Sequence, residues 1–104
     1  MIARAWHGAT RASDAEAYAE FLNRTGVKDY RATPGNRGAY VLRRVSGDLA
    51  HLLLLTLWDS MDAVRKFAGP DAEKAVYYPE DEQFLLAKEP QVTHYEVLVQ
   101  QGIS

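Results

Sequence analysis

The residues whose types could do chemistry are three histidines, a tyrosine pair and a tryptophan at the end of an apolar run. An imidazole titrates near neutral pH and suits general-base work. His7, closing the first predicted strand, is therefore either a base beside a pocket or a solvated strand end. His51 and His94 complete the set. The topology below puts His51 at the other end of the sheet and points His7 and His94 to opposite faces. No ligand triad forms, and no metal site is expected. Tyr77 and Tyr78, in "VYYPED", either fill core or interface, or close a pocket and offer a phenol to a substrate oxygen. Trp58, ending "LLLLTLW", is either the last brick of a core or the wall of a cavity. Glu80, Asp81 and Glu82 read most simply as a solvated helix start.

Composition narrows the functions. The 104 residues suffice for one core, so a single domain spanning 1–104 is expected. The formal net charge of -2, with bases scattered among acids, leaves no footprint for nucleic acid or an anionic membrane. The absence of cysteine excludes disulfides, thiolate metal sites and thiol catalysis. The longest apolar run is too short to span a bilayer, and "MIARAWHG" lacks a signal-peptide core. A cytoplasmic protein is expected.

The elements that must position these residues follow from periodicity. "IARAWHG" predicts a strand ended by Gly8. "SDAEAYAEFLNRTG" predicts a helix with a Ser13–Glu16 capping box, a Tyr18, Phe21, Leu22 and Thr25 stripe, and a Gly26 cap. "GAYVLRRVSGDLAHLLLLTLW" predicts a hairpin turning at Gly47-Asp48, with Ser46 opposite Leu49 and Arg44 opposite His51. One face then carries Tyr40, Leu42, Arg44, His51, Leu53, Leu55 and Leu57. The other carries Val41, Arg43, Val45, Leu52, Leu54, Thr56 and Trp58. A second helix, capped by Asp59 or Ser60, shows the stripe Met61, Val64, Phe67 and Ala68 and stops at Gly69-Pro70. "DAEKAVYY" and "EDEQFLLAK" predict further helical turns, and "QVTHYEVLVQ" a last strand.

The order β-α-β-β-α-β with right-handed crossovers predicts an α+β, ferredoxin-like fold, an antiparallel sheet with helices on one face. Its usual strand order, 4-1-3-2, sets the first strand beside the last. Pairing Arg4 with Glu96 as a buried structural pair places Ala3, Ala5 and His7 beneath the helices beside Tyr95. The small alanines would leave a hollow there. The third strand is apolar on both faces, so the helix-free face needs a cover.

This order, with "LWDSMDAVRKFAG" after the third strand and "VTHYEV" near the end, resembles the antibiotic biosynthesis monooxygenase family from Ile2 to about Val99. The resemblance implies a dimeric α/β barrel, in which a second copy of the chain buries the open sheet face. It also implies a site within each protomer, between sheet and helices. Two chemistries occur in that family: cofactor-independent oxygenation of phenols and anthrones, and oxidative haem degradation. The haem pattern fails here, with Phe67 for its helix Trp, Tyr77 for its His and Ala5 for its Asn. Of the quinone-forming pattern Trp58 matches, whereas Leu54 replaces an Asn and Val64 falls near a Tyr.

The reading is thus a homodimeric, cofactor-independent monooxygenase for a small apolar or aromatic, polyketide-like molecule. His7 or Tyr77 would handle protons, and Trp58, Phe67, Tyr18, Tyr78, Tyr95 and Leu54 would shape the pocket. The alternative is a non-catalytic, dimeric ligand-binding or stress-associated domain on the same scaffold.

Overall fold

The computed structural model describes residues 1–102; residues 103 and 104 of the expected domain lie outside that description. Strand β1 (Ile2–Arg11) leads through a 3-10 turn at Ala12–Asp14 into α1 (Ala15–Leu22). A widened π-type turn at Asn23–Val27 carries the same helical path into α2 (Lys28–Ala32). The hairpin β2 (Asn36–Ser46) and β3 (Leu49–Trp58) precedes α3 (Met61–Ala68). An irregular segment and a 3-10 turn at Pro79–Gln83 then lead to two short strands, β4 (Leu85–Lys88) and β5 (Thr93–Glu96).

The sheet is antiparallel, with order β2-β3-β1 and both β4 and β5 on the far edge of β1. β5 pairs with Ile2–Ala5 and β4 with Gly8–Thr10, so two short strands share one edge. This is the expected ferredoxin-like α+β arrangement, with helices packed on one face and the last strand beside the first. The hairpin register is also as expected, Ser46 opposite Leu49 and Arg44 opposite His51.

Several local expectations are corrected. "DAEKAVYY" forms no helix, and "EDEQFLLAK" gives a 3-10 turn followed by β4, because Leu85–Lys88 completes the edge of β1 that β5 is too short to cover. Ser13 and Glu16 form no capping box, since the chain enters α1 through the 3-10 turn with no side-chain cap. Gly26 does not end the first helix. It is buried within the helical path, where an added Cβ would sit 3.4 Å from the Tyr30 hydroxyl. The stop comes at Thr33, whose extended backbone precedes Pro34 as that ring requires. Ser60 is the cap of α3, its side chain accepting from the Ala63 N–H at 3.2 Å.

The pairing of β1 with β5 differs from the expected register by two residues: Arg4 faces His94, and Ile2 faces Glu96. A slip of two preserves which side chains share a face. The assignment of faces, however, is the reverse of the one expected. Arg4 and Trp6 lie under the helices with Leu52, Leu54, Thr56 and Trp58. Bulk decides this, because the helices need large side chains beneath them and alanines would leave them unsupported. The helix-free face carries His7, Tyr40, Leu42, Leu53 and Tyr95, with Leu53 38% and Tyr95 58% exposed. Among the described residues, no helix is long and apolar enough to cross a membrane.

Candidate functional site

The cleft between helices and sheet grows out of three elements. Along the helical path Tyr18, Leu22, Gly26 and Tyr30 recur every four residues and so project along one stripe. From the sheet come Arg4 and Trp6 on β1 and Leu54 on β3. The irregular segment after α3 closes the third side with Val76, Tyr77, Tyr78 and Asp81. Counting its open mouth, the cleft encloses about 380 Å³, of which only about 20 Å³ is open to the centre of a water molecule. That is room for about one ordered water. A larger guest enters only if the segment carrying Tyr77 and Tyr78 moves outward.

Hydrogen bonds tie the polar tips together. The Trp6 indole N–H donates to the Tyr77 hydroxyl at 2.8 Å, and Tyr77 donates to the Glu89 carbonyl. The Tyr18 hydroxyl donates to Asp81 Oδ1 at 2.9 Å, while the Tyr78 N–H donates to Asp81 Oδ2 at 2.7 Å. Tyr78 also donates through its hydroxyl to Asp29. Burial raises all four phenols of the cleft. Tyr18 is pushed well up by burial and then by Asp81, and Tyr78 by burial and its bond to Asp29. Tyr30 rises to about 12 by burial, against the lowering effect of Arg4. Tyr77 rises chiefly by burial. At neutral pH these groups are therefore proton donors.

Arg4 is 4% exposed. It donates through Nη1 to the Ala72 carbonyl at 2.5 Å and to His94 Nε2 at 3.0 Å, and through Nη2 to the Lys74 carbonyl at 3.2 Å. A guanidinium has no acceptor, so His94 Nε2 must accept and the ring proton sits on Nδ1. That Nδ1 is buried with no partner among the described residues. Burial, then the Arg4 charge, lowers the His94 pKa and keeps the ring neutral.

The residues anticipated from sequence divide into three groups. Tyr18, Tyr77, Tyr78 and Leu54 line the cleft. Trp58 and Phe67 do not: Trp58 is fully buried one layer away, its indole N–H donating to Thr56 Oγ1 at 2.8 Å. Its ring lies 6.1 Å from Tyr30 and 6.0 Å from Phe67, in an aromatic cluster of the core. His7 and Tyr95 sit on the helix-free face, against the expectation that both lie beneath the helices. There, against the expectation that His51 lies at the other end of the sheet, His7 Nε2 is 3.0 Å from His51 Nδ1, because β1 and β3 pair antiparallel with Ala9 opposite His51. The His7 Nδ1 is 3.2 Å from Glu89 Oε1. Arg4, Trp6, Tyr30 and Asp81 are cleft residues that the pattern reading missed. The fourfold spacing Tyr18, Leu22, Gly26, Tyr30 was the available signal, hidden by treating Gly26 as a stop. Asp81, read as solvated, is 2% exposed.

The cleft is thus a closed, aromatic-walled space between helices and sheet in a ferredoxin-like α+β chain. Solved structures place it more narrowly. Rv0793 from Mycobacterium tuberculosis superposes with a TM-score of 0.64 at 20% identity, over 97% of this chain and 98% of that one. A Bacillus cereus protein designated a candidate antibiotic biosynthesis monooxygenase gives 0.68 at 10% identity, over 98% and 97%. The haem-degrader MhuD (Rv3592) from Mycobacterium tuberculosis, with two haems bound in its active site, gives 0.62 at 18% identity, over 98% and 100%. The chain thus has the fold shared by an antibiotic biosynthesis monooxygenase and its structural relatives, as the sequence resemblance implied. No family profile matches the chain, and no curated protein matches its sequence. The donor set fits haem poorly: among the described residues no histidine lines the cleft, three of its four phenols, Tyr18, Tyr77 and Tyr78, are committed to protein acceptors, and burial holds the fourth, Tyr30, protonated.

Proposed function

We propose that this chain is a cytoplasmic homodimer whose cleft takes a planar aromatic molecule and oxygenates it without a cofactor. The observation that carries this reading is the wall of Trp6, Tyr18, Tyr30, Tyr77 and Tyr78 around one cleft, with a buried carboxylate bonded to one of those phenols. Aromatic walls accept a flat ring by stacking and edge contacts. The chemistry needs a proton removed from an electron-rich phenol or anthrone. The Tyr18 oxygen takes that proton while passing its own to Asp81 Oδ1, over the existing 2.9 Å bond. The substrate anion then reduces dioxygen directly. A CH₂ becomes C=O, and the second oxygen atom leaves as water with the two hydrogens removed. Tyr77, bonded to Trp6, holds the segment that shuts water out.

Support for the homodimer comes from the helix-free sheet face, where Tyr40, Leu42, Leu53 and Tyr95 stand exposed. A second copy related by a two-fold axis covers that face with the same surface.

A second reading is a non-catalytic binding protein. It is favoured by the closed state of the cleft, which leaves about 20 Å³ and three phenols already donating to the protein. Oxygen uptake with dithranol separates the two. The enzyme consumes oxygen, and Tyr18→Phe slows it about 100-fold or more while dithranol still binds. Dithranol binding without uptake establishes the binder, and neither binding nor uptake across a panel of phenols and anthrones removes both.

A further inference from the structure

Arg4 carries a charge that the protein does not neutralise. Its partners are two backbone carbonyls and a neutral imidazole, and no carboxylate lies in ion-pair range of it among the described residues. The nearest acid to act on it electrostatically, Glu73, is exposed and forms no bond with it. Asp81, the other charged group of the cleft, has one oxygen on Tyr18 and the other on the Tyr78 N–H. A guanidinium withdrawn from water costs several kcal/mol unless an anion meets it. Three of its five N–H groups are engaged, leaving the Nε–H and one Nη2–H. Nε–H and an Nη2–H form one edge of a guanidinium, the pair that binds a carboxylate through both oxygens, and neither Nε nor the second Nη2–H has a protein partner among the described residues. The Tyr30 hydroxyl, which donates to no protein group among the described residues, lines the same cleft.

We infer that the cleft binds an aromatic carboxylate, its anionic group seated on Arg4 and Tyr30 and its ring among Trp6, Tyr18, Tyr77 and Tyr78. The inference rests on the cleft being a ligand site, as proposed above. It adds a fixed charge to the ligand, met by groups other than the Tyr18–Asp81 pair. Binding requires the Tyr77–Tyr78 segment to move outward, since the closed cleft holds about one water, and it gives the buried cation its missing counter-charge. A neutral ligand of the same shape leaves that charge uncompensated and sheds water from Arg4 without replacing it.

Calorimetric titration of the full chain at pH 7.5 with 2-naphthoate, 2-naphthamide and 4-nitrophenolate tests this. The expected result is naphthoate binding at least tenfold tighter than naphthamide and tighter than nitrophenolate, as charge-assisted bidentate bonds outweigh neutral or single ones. Arg4→Gln removes the preference and Arg4→Lys retains part of it. Should Arg4→Gln fail to fold, the three-ligand comparison on the wild-type chain still decides. Equal binding of naphthoate and naphthamide overturns the inference while leaving an aromatic ligand site intact. Tighter binding of nitrophenolate overturns the carboxylate assignment. No binding of any of the three overturns the inference together with the site it rests on.

Discussion

Tyr18 on α1 and Asp81 in the Pro79–Gln83 turn are 63 residues apart in sequence and share a 2.9 Å hydrogen bond inside the protein. Asp81 also caps its own turn by accepting from the Tyr78 N–H. One buried carboxylate therefore fastens an otherwise irregular segment to the helix that lines the cleft. Replacing it strands two donors, each costing about 1–3 kcal/mol. Asp81→Ala is expected to lower unfolding free energy by about 2–5 kcal/mol, read from urea denaturation. Tyr18→Phe is expected to cost less, because the carboxylate keeps the Tyr78 N–H. Equal losses would mean that the second bond does not hold the turn.

His94 gives an acid limb to stability. Burial, followed by the Arg4 charge, lowers its folded pKa below the unfolded value of 6.5. Below that value the unfolded chain binds a proton that the folded chain resists. The stability is complete above pH 6.5 and is lost as pH falls through the lower folded value. His94→Gln keeps an acceptor for Arg4 without titrating, so its stability should fall less between pH 7 and pH 5. Identical slopes in denaturation curves across that interval would contradict the assignment.

The sheet was legible and the cleft only in part, for reasons visible in single residues. Gly47-Asp48 between alternating strands fixes a two-residue hairpin, and with it every side-chain face of β2 and β3. β1 carries no such signal. Its alternation Ile2, Arg4, Trp6 against Ala3, Ala5, His7 separates two faces without saying which meets the helices. Small residues beneath the helices would leave room for a guest, but the helices rest on the bulk of Arg4 and Trp6, and the Arg4 charge is met there by the Ala72 and Lys74 carbonyls. The same reversal of faces carries His7 and Tyr95 to the helix-free side. Trp58 is a core residue, since a strand-end indole two residues from Thr56 finds its hydrogen bond without reaching the cleft. β4 and the buried Asp81 depend on contacts with β1 and Tyr18, more than 60 residues away, and no local pattern encodes them.

Gly8 is a packing requirement. Trp6 bends over it on the helix side, and an added Cβ would lie 2.4 Å from the Trp6 ring. Gly8→Ala must displace that ring and with it the 2.8 Å bond to Tyr77. A loss of about 1–3 kcal/mol is expected from overpacking. Tryptophan fluorescence should shift to longer wavelength as Trp6 gains water, a change that Gly8→Ala would not produce if the ring had room to slide.

The cleft's phenols set an alkaline limit. Tyr18, Tyr30, Tyr77 and Tyr78 are all raised, with burial the largest cause in each, and Tyr30 reaches about 12. The folded chain then holds protons that the unfolded chain releases near pH 10. Their contribution to stability is whole below pH 10 and drains away as pH climbs through the raised values. Unfolding free energy should fall steeply above pH 10, and Tyr30→Phe should make that fall shallower. A flat profile from pH 9 to pH 11.5 would show that the phenols ionise as freely folded as unfolded.

The helix-free face offers the sharpest test of assembly. Leu55 lies on it in the middle of β3, between Ala5 of β1 and Tyr40 of β2. In a lone protomer its side chain meets solvent in part, so Leu55→Glu leaves the helix-side core untouched. In a two-fold dimer the same change buries a carboxylate on each partner against apolar groups, which costs several kcal/mol per charge. Sedimentation at micromolar concentrations is therefore expected to show a wild-type dimer and a Leu55→Glu monomer with an unchanged far-ultraviolet circular dichroism spectrum. A wild-type monomer at tens of micromolar would remove the dimer, and an unchanged dimer in Leu55→Glu would move its interface off this face.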